Sequence, residues 1–470
     1  MRRVKIVCTL GPASADADTV ARLVAAGMDC ARLNFSHGTH ASHAELARLV
    51  RETAARERRS LALLADLCGP KMRVGRFAAG PVELREGAPF VLTTRSVAGD
   101  EREVSVSYEP LPRDARPGDT VLLDDGLLRL RVVETTATDV RCVVEVGGTL
   151  SDHKGIHLPG SRLSAPALTE KDRADLAFAV GTLDVDYVAL SFVRRADDVR
   201  QVRELAGNTP IVAKIEKPEA LDNLGEIVEA ADGIMVARGD LGVELGAEKV
   251  PLVQKRIIRE VNARGKLVIT ATQMLESMIR NPRPTRAEAA DVANAVLDGT
   301  DAVMLSGETA TGRYPVEAVR MMDAIVREVE AEWLSRAEPR PRTTTLLGDW
   351  GEWGHTSAVA RAAALLSWTM PVRAIVCFTT TGRAAALLSE HRPRAPIHAV
   401  TPDPAVARRL ALEWGVRPHV EVPPETMEET LRIATSLLVR EGAAGSGDEI
   451  AIVAAWPPSE RPNTVKLHRL

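Results

Sequence analysis

The sequence predicts an α/β protein: a (β/α)8 TIM barrel with an inserted small all-β lid domain and a C-terminal α/β domain. Three observations support this. Eight short aliphatic runs alternate with segments of helical periodicity, which suits a closed parallel barrel better than an open doubly wound sheet. The alternation breaks once, over roughly 76–158, where β-like pieces are separated by Pro, Gly and Asp. The chain has 470 residues, too many for one ordinary core, and a second α/β pattern follows a stretch rich in Pro and charge.

Composition agrees with this class. Hydrophobic residues make up 45% and charged ones 26%, a globular balance, but aromatics are only 3%. The cores must therefore be packed with Ala, Val, Leu and Ile, as in the buried strands of parallel sheets. A net charge of −4, with no basic stripe interleaved with aromatics, argues against a nucleic-acid partner. The five cysteines (Cys8, Cys30, Cys68, Cys142, Cys377) are scattered and imply reduced thiols. The opening MRRVKIVCTLGPAS lacks the long apolar stretch of a signal peptide, and no run of 18 apolar residues occurs. The expectation is a soluble, cytoplasmic protein without a membrane segment.

Taken in order, the barrel strands are VKIVCTLG from Val4, CARLNF from Cys30, LALLADL from Leu61, VDYVALSF from Val185, PIVAKIE from Pro210, GIMVARG from Gly233, KLVITAT from Lys266 and AVMLSG from Ala302. Amphipathic helices are expected at 16–26, 196–205, 220–230, 253–263 and 286–297, the last opened by a capping box of Thr285 and Glu288. APFVLTT, DTVLLDDG, LLRLRVVE and VRCVVEVGG are the strands of the insert, which leaves the barrel after its third strand and would overhang the mouth where barrel active sites lie. The expected division is 1–73 with 159–334 for the barrel, 74–158 for the lid and 335–470 for the C-terminal domain. A linker is expected near 335–352, then strands AIVCFTT, PIHAVT, HVEV and EIAIVAA.

Polar residues gather at the carboxyl ends of these strands. Arg32, Asn34 and Ser36 alternate and so share one face. Asp66 precedes Gly69, Lys71 and Arg73; Lys214 and Glu216 are two apart; Arg238, Gly239 and Asp240 end the sixth strand, Thr270 and Thr272 the seventh, Ser306 and Glu308 the eighth. One such end is as well explained by a structural ion pair. Many at one mouth are not, because burying unpaired charges is expensive. Glu216 and Asp240 suit Mg²⁺, which takes one or two carboxylates and completes its octahedron with substrate oxygens and water. Lys214, Arg32 and Arg73 make a pocket for a highly anionic group, the main requirement of phosphoryl transfer. His37 and His43 lack metal spacing and read as surface or packing groups.

The stretches KIVCTLGPAS, ARLNFSHG, DLCGPKMR, AKIEKP, GIMVARGDLGVE and ITATQMLESMIRNPRPTRAEAADVANAVLDGTDAVMLSGETATGRYP, in this order, resemble the signatures of pyruvate kinases. The resemblance covers the barrel almost completely, the lid loosely and the C-terminal domain by topology. It implies transfer of the phosphoryl group of phosphoenolpyruvate to ADP, giving pyruvate and ATP, a step of glycolysis, with Mg²⁺ (or Mn²⁺) as cofactor. In this likeness Lys214 resembles the lysine that stabilises the phosphoryl group in transit, and Glu216 and Asp240 the metal ligands. Arg32 with Gly239, Asp240 and Thr272 resembles the substrate-holding set, and Arg73 and Lys171 the nucleotide-phosphate contacts. Thr272, Ser306 and Glu308 line the route of the proton to the enolate carbon, with the donor left open.

Two departures matter. Many relatives bind K⁺ through positions matching Asn34, Ser36, Asp66 and the carbonyl of the next residue; they have Thr and Glu where this chain has Leu67 and Lys71. A lysine ammonium there can replace the monovalent cation, so K⁺ is expected not to be required. Thr379, Thr380, Thr381, Gly382, Arg383 and Ala384 form a strand–helix turn resembling the loop that holds a phosphorylated allosteric effector in regulated relatives, although a plain turn explains it as well. The distal loop AAWPPSERPNTVK (454–466) is not glycine-rich, which speaks against fructose bisphosphate as that effector. The resemblance also implies a homotetramer; unlike animal relatives, the chain is expected to start directly with the first barrel strand. Two rival readings stand beside this one: a Mg²⁺-dependent lyase or aldolase, which needs no ADP pocket and is disfavoured by the lid, Lys171 and Lys214, and a non-catalytic sensor, disfavoured by the presence of Lys214, Glu216 and Asp240.

Overall fold

The computed structural model describes residues 2–161, 164–335, 354–456 and 461–470. Eight parallel strands close into a barrel: β1 (Lys5–Thr9), β2 (Cys30–Asn34), β3 (Ala62–Asp66), β4 (Tyr187–Leu190), β5 (Ile211–Ile215), β6 (Gly233–Ala237), β7 (Leu267–Ala271) and β8 (Ala302–Leu305). β1 closes the ring by pairing with both β2 and β8. Successive side chains face opposite ways: Ile6 and Cys8 pack in the cluster shared with the helices, whereas Val7 joins Cys30, Leu64, Val212, Met235 and Ile269 in a second one. Both faces are thus buried, which is why these strands read as unbroken aliphatic runs.

The helices follow their capping chemistry. Ala17–Ala26 starts where Asp16 accepts from the Thr19 amide, and Arg286–Asp298 starts on the reciprocal Thr285–Glu288 box. Two differ from expectation. The segment expected as one helix at 220–230 is two, Pro218–Asp222 and Leu224–Ala230, because the Asn223 amide donates to Arg194 O and Glu219 O and competes with helix continuation. The helix expected at 253–263 begins earlier, at Val250, with Pro251 in its first turn, where a missing N–H costs nothing.

The insert is all-β apart from the four-residue helix Leu111–Asp114. A six-stranded sheet runs in the order Ile156–His157, Thr120–Leu123, Leu128–Thr135, Asp139–Val146, Pro89–Thr93, Glu103–Ser105, with a separate pair Val82–Leu84 and Gly148–Leu150. Its inward residues, among them Phe90, Leu92, Leu130 and Val144, form a core separate from the barrel's.

The C-terminal sheet contains β9 (Val372–Phe378), β10 (Ile397–Thr401), β11 (Val416–Val420), β12 (Glu449–Ala454) and β13 (Thr464–Arg469), in the order β11-β10-β9-β12-β13. β13 is antiparallel; it lies partly in what reads as a loop, because its residues alternate without an aliphatic run. β11 begins before the HVEV expected for it, at Val416. The linker expected near 335–352 lies, beyond Ser335, outside the described residues, as do 457–460 of the distal loop. The domain docks on the amino-terminal face of the barrel, through Lys5 Nζ to Val416 O (2.6 Å), Arg392 to Asp301 (2.8 Å) and Arg408 to Asp186 (2.8 Å). That leaves the opposite mouth to the lid. Among the described residues no helix is long and apolar enough to cross a membrane.

Candidate active site

At the carboxyl ends of the strands, a buried charge network is centred on Lys214 in β5. Its ammonium lies 3.2 Å from Asp66 Oδ1 and 3.0 Å from Glu216 Oε1, and donates to Ser191 Oγ at 2.7 Å. Asp66, at the end of β3, accepts from Arg32 Nε at 2.7 Å with its other oxygen, and Arg32 Nη1 reaches Thr9 Oγ1 at 2.9 Å. Burial alone would pull the lysine toward neutrality, but Asp66 and Glu216 outweigh it and raise its pKa. Burial likewise opposes ionisation of Asp66, yet Lys214 and Arg32 hold it below the usual carboxylate range. The Lys214 ammonium is therefore a fixed, charged donor, and Arg32 is oriented by Asp66 and Thr9.

Glu216 is the exception. Burial and the neighbouring Asp240 push its pKa up against the pull of Lys214. Its Oε2 accepts from Phe192 N at 2.7 Å, whereas Oε1, ion-paired with Lys214, accepts no hydrogen bond of good geometry among the described residues. Asp240, in the first turn of the helix Arg238–Leu245, keeps 22% of its side chain exposed. Among the described residues no three His, Cys, Asp or Glu side chains make a metal cage. Glu216, ion-paired with Lys214 and close enough to Asp240 for that carboxylate to oppose its ionisation, is one of two carboxylates that fit a hard cation taking its remaining ligands from substrate and water.

Thr272 follows β7 with φ +66°, next to Gln273 at +53°, and Phe192 after β4 has φ +55°. A β-branched residue in this region is strained, and such strain concentrates at functional sites. Arg238 holds the Thr272 turn in place by donating to Thr272 O at 2.7 Å while paired with Asp291. Thr272 Oγ1 accepts from the Gly239 amide at 2.7 Å and donates to Ala271 O at 2.7 Å. A Cβ on Gly239 would meet only ordinary contacts at 3.6 Å or more, so its lack of a side chain is not required by this packing. Glu308 accepts from Leu275 N (3.0 Å) and Ser306 N (2.7 Å), tying the loops after β7 and β8 together, while Ser306 Oγ is buried without a partner among the described residues.

The remaining expected residues surround the loop after β2. Asn34 Oδ1 accepts from Ser36 N at 3.2 Å. Lys171 donates to Phe35 O at 2.8 Å and pairs with Asp175 at 2.5 Å. Arg73 stands at the lid root, its guanidinium on His153 O at 2.9 Å. Burial lowers the His37 pKa, and Arg73, Lys71 and Arg32 lower it further. His43 packs on Phe35 as a packing group would. Leu67 is buried and its carbonyl accepts from Ser191 Oγ at 2.7 Å; Lys71 makes no ion pair among the described residues. Neither Arg73 nor Lys171 makes a hydrogen bond or ion pair to Lys214, Glu216 or Asp240 among the described residues. A cleft of about 640 Å³ opens between the lid turn at Asp125 and Gly126 and the barrel residues Gly239 and Gln273. The turn Thr379 to Ala384 lies in the other domain, after β9; Thr379 Oγ1 accepts from Gly382 N at 3.0 Å, with Gly382 at φ +87°.

Ser191, Thr9 and the Phe192 amide belong to this network and were missed in the sequence. Their signal was available, since Ser191 and Phe192 end the fourth aliphatic run and Thr9 lies near the end of the first.

Two family models match the chain: "Pyruvate kinase, barrel domain" over residues 1–319 and "Pyruvate kinase, alpha/beta domain" over residues 357–468. Curated relatives include the pyruvate kinase of Geobacillus stearothermophilus, 46% identical over 99% of this chain and 80% of the relative. That of Clostridium perfringens is 42% identical over 98% of this chain and 97% of the relative. That of Staphylococcus aureus (strain USA300) is 43% identical over 100% and 80%.

Proposed function

The chain belongs to the pyruvate kinase family, a family of phosphotransferases, and from that premise we propose that it transfers the phosphoryl group of phosphoenolpyruvate to ADP, using Mg²⁺ at Glu216 and Asp240 and needing no K⁺. The observation behind this reading is the Lys214 ammonium, buried and held charged between Asp66 and Glu216 at the barrel mouth. Bound metal would neutralise charge on the transferring group. Lys214 and Arg32 add fixed positive charge where the phosphoryl oxygens develop theirs, and they need no reorganisation because Asp66 already orients both. The Thr272 hydroxyl and the Gly239 and Asp240 amides would hold the substrate carboxylate, the hydroxyl turning from Ala271 O. Both Glu308 oxygens accept backbone amides, which suits a group that positions two loops; Ser306 Oγ, without a partner among the described residues, suits the hand-over of the proton. Arg73 and Lys171 would meet the nucleotide phosphates as the lid closes.

K⁺ independence rests on two of the four K⁺ ligand positions already having cationic or hydroxyl partners. Asp66 is shared by Arg32 and Lys214, the Leu67 carbonyl accepts from Ser191, and Lys71 is an ammonium with no ion pair among the described residues. We read the chain as three units, 1–73 with 159–334, 74–158 and 335–470. A homotetramer, a cytoplasmic location and a phosphorylated effector on the turn from Thr379 to Ala384 complete the reading.

The assay is pyruvate formation from phosphoenolpyruvate and ADP with Mg²⁺, first without K⁺ or NH₄⁺ and then with K⁺ added. Full activity in the first buffer is expected. Activity appearing only with K⁺ would keep the transferase and remove the role given to Lys71; none in either buffer would overturn the assignment.

A further inference from the structure

Beside the metal-binding carboxylates lies a second buried charge cluster that the chemistry above does not use. Glu244, in the last turn of the helix Arg238–Leu245, accepts from the Lys217 ammonium and lies 3.2 Å from His157 Nδ1 through the same Oε1. All three residues are buried, at 7%, 7% and 3% exposure for Glu244, Lys217 and His157. They come from three different elements. Lys217 directly follows Glu216 at the end of β5. Glu244 lies one turn after Asp240 on the same helix, and residues four apart share a helix face. His157 ends the last strand of the lid and places Nε2 3.8 Å from Asp240 Oδ1. The lid touches this helix a second time, at its turn: a Cβ on Gly126 would stand 3.8 Å from Val243 Cγ1.

We propose that Glu244 is a positioning residue for the metal pair: it ties the β5 end bearing Glu216 to the helix bearing Asp240, and His157 makes that tie depend on the seat of the lid. A buried ion pair of this kind contributes little net stability, because its desolvation offsets its Coulomb gain. It does restrict geometry, and the separation of two carboxylates is what a cation requiring a near-ideal octahedron reads. Groups that orient metal ligands change metal affinity without touching the metal. The cluster therefore couples lid docking to metal affinity, so a lid lifted from the barrel would leave Asp240 less well aimed. The inference rests on Glu216 and Asp240 being the metal ligands.

The test uses the full chain and Mn²⁺ as a spectroscopic probe, with Mn²⁺ affinity read by electron paramagnetic resonance in the presence of phosphoenolpyruvate. E216Q and D240N come first; if they leave Mn²⁺ affinity unchanged, the metal assignment fails and this inference with it. If they abolish binding, H157L separates the two ideas, because it removes the lid link and leaves the Glu244–Lys217 pair intact. The expected result is Mn²⁺ affinity weakened by about tenfold, faster amide exchange in the lid strand holding His157, and a KM for metal–ADP that rises more than kcat falls. H157Q, which keeps a donor near Glu244, is expected to restore most of the affinity. The double variant K217M/E244Q removes the pair without leaving a lone buried charge, and it should weaken Mn²⁺ as H157L does. Unchanged Mn²⁺ affinity in a folded H157L and in the double variant would reduce the cluster to a structural contact and overturn the proposal.

Discussion

At the scale of single residues, the site works by opposing burial with charge. Lys214 would lose its proton in an apolar pocket, and Asp66 and Glu216 prevent that. Replacing it with methionine keeps the bulk and removes the charge. K214M is expected to lower kcat by about a thousandfold with the KM for ADP little changed, measured by steady-state kinetics with circular dichroism confirming the fold. Much of this was legible beforehand: Arg32, Asp66, Lys214, Glu216, Asp240 and Thr272 stand at the ends of aliphatic runs, where a barrel puts its chemistry. Glu244, Lys217 and His157 were not, because nothing in the spacing of 157, 217 and 244 announces that a lid strand, a barrel strand end and a helix meet at one carboxylate oxygen.

At the scale of elements, capping accounts for where helices begin and for how one loop is held. Glu288 does more than complete its box with Thr285: it also accepts from Ser277 N at 2.6 Å and Ser277 Oγ at 2.5 Å, fastening the segment after β7 to the helix Arg286–Asp298. T285A is expected to cost about 1 kcal/mol in urea unfolding, whereas E288A, which removes both anchors, should cost more and also raise the KM for phosphoenolpyruvate by loosening the Thr272 turn. Equal costs with unchanged KM would confine Glu288 to the helix end. The Thr285–Glu288 box was readable because it is local in sequence, and the Ser277 contact was not, because a loop had to fold back to make it. The break at Asn223 is similar: helical periodicity runs through it, and only the approach of Arg194 O gives its side chain a reason to interrupt.

At the scale of the whole molecule, the C-terminal domain contains a pH-sensitive pair. His398 and His419 stack at 5.2 Å with Nδ1 of the first 3.0 Å from Nε2 of the second. Burial, then Arg417 and Arg3, push His398 down to about 4; burial, then His398, Arg417 and Arg440, push His419 down to about 3. The unfolded chain takes up these protons near pH 6.5 and the fold does not until near pH 4, so stability should fall as pH drops through that window. Calorimetry between pH 7 and 4 is expected to show a loss on the order of a few kcal/mol, with a shallower slope in H398Q/H419Q; equal slopes would remove the pair from the account. The sequence by itself determined the fold class, the order of the eight strands and which polar residues stand at their ends, because aliphatic runs, helical periodicity and capping act over a few residues. Only the tertiary structure decided which charges share a partner: that Asp66 serves both Arg32 and Lys214, that Glu244 joins lid to barrel, and that two histidines of the C-terminal domain meet. Those pairings depend on distances across elements far apart in the chain, and burial sets their strength only once the elements have packed.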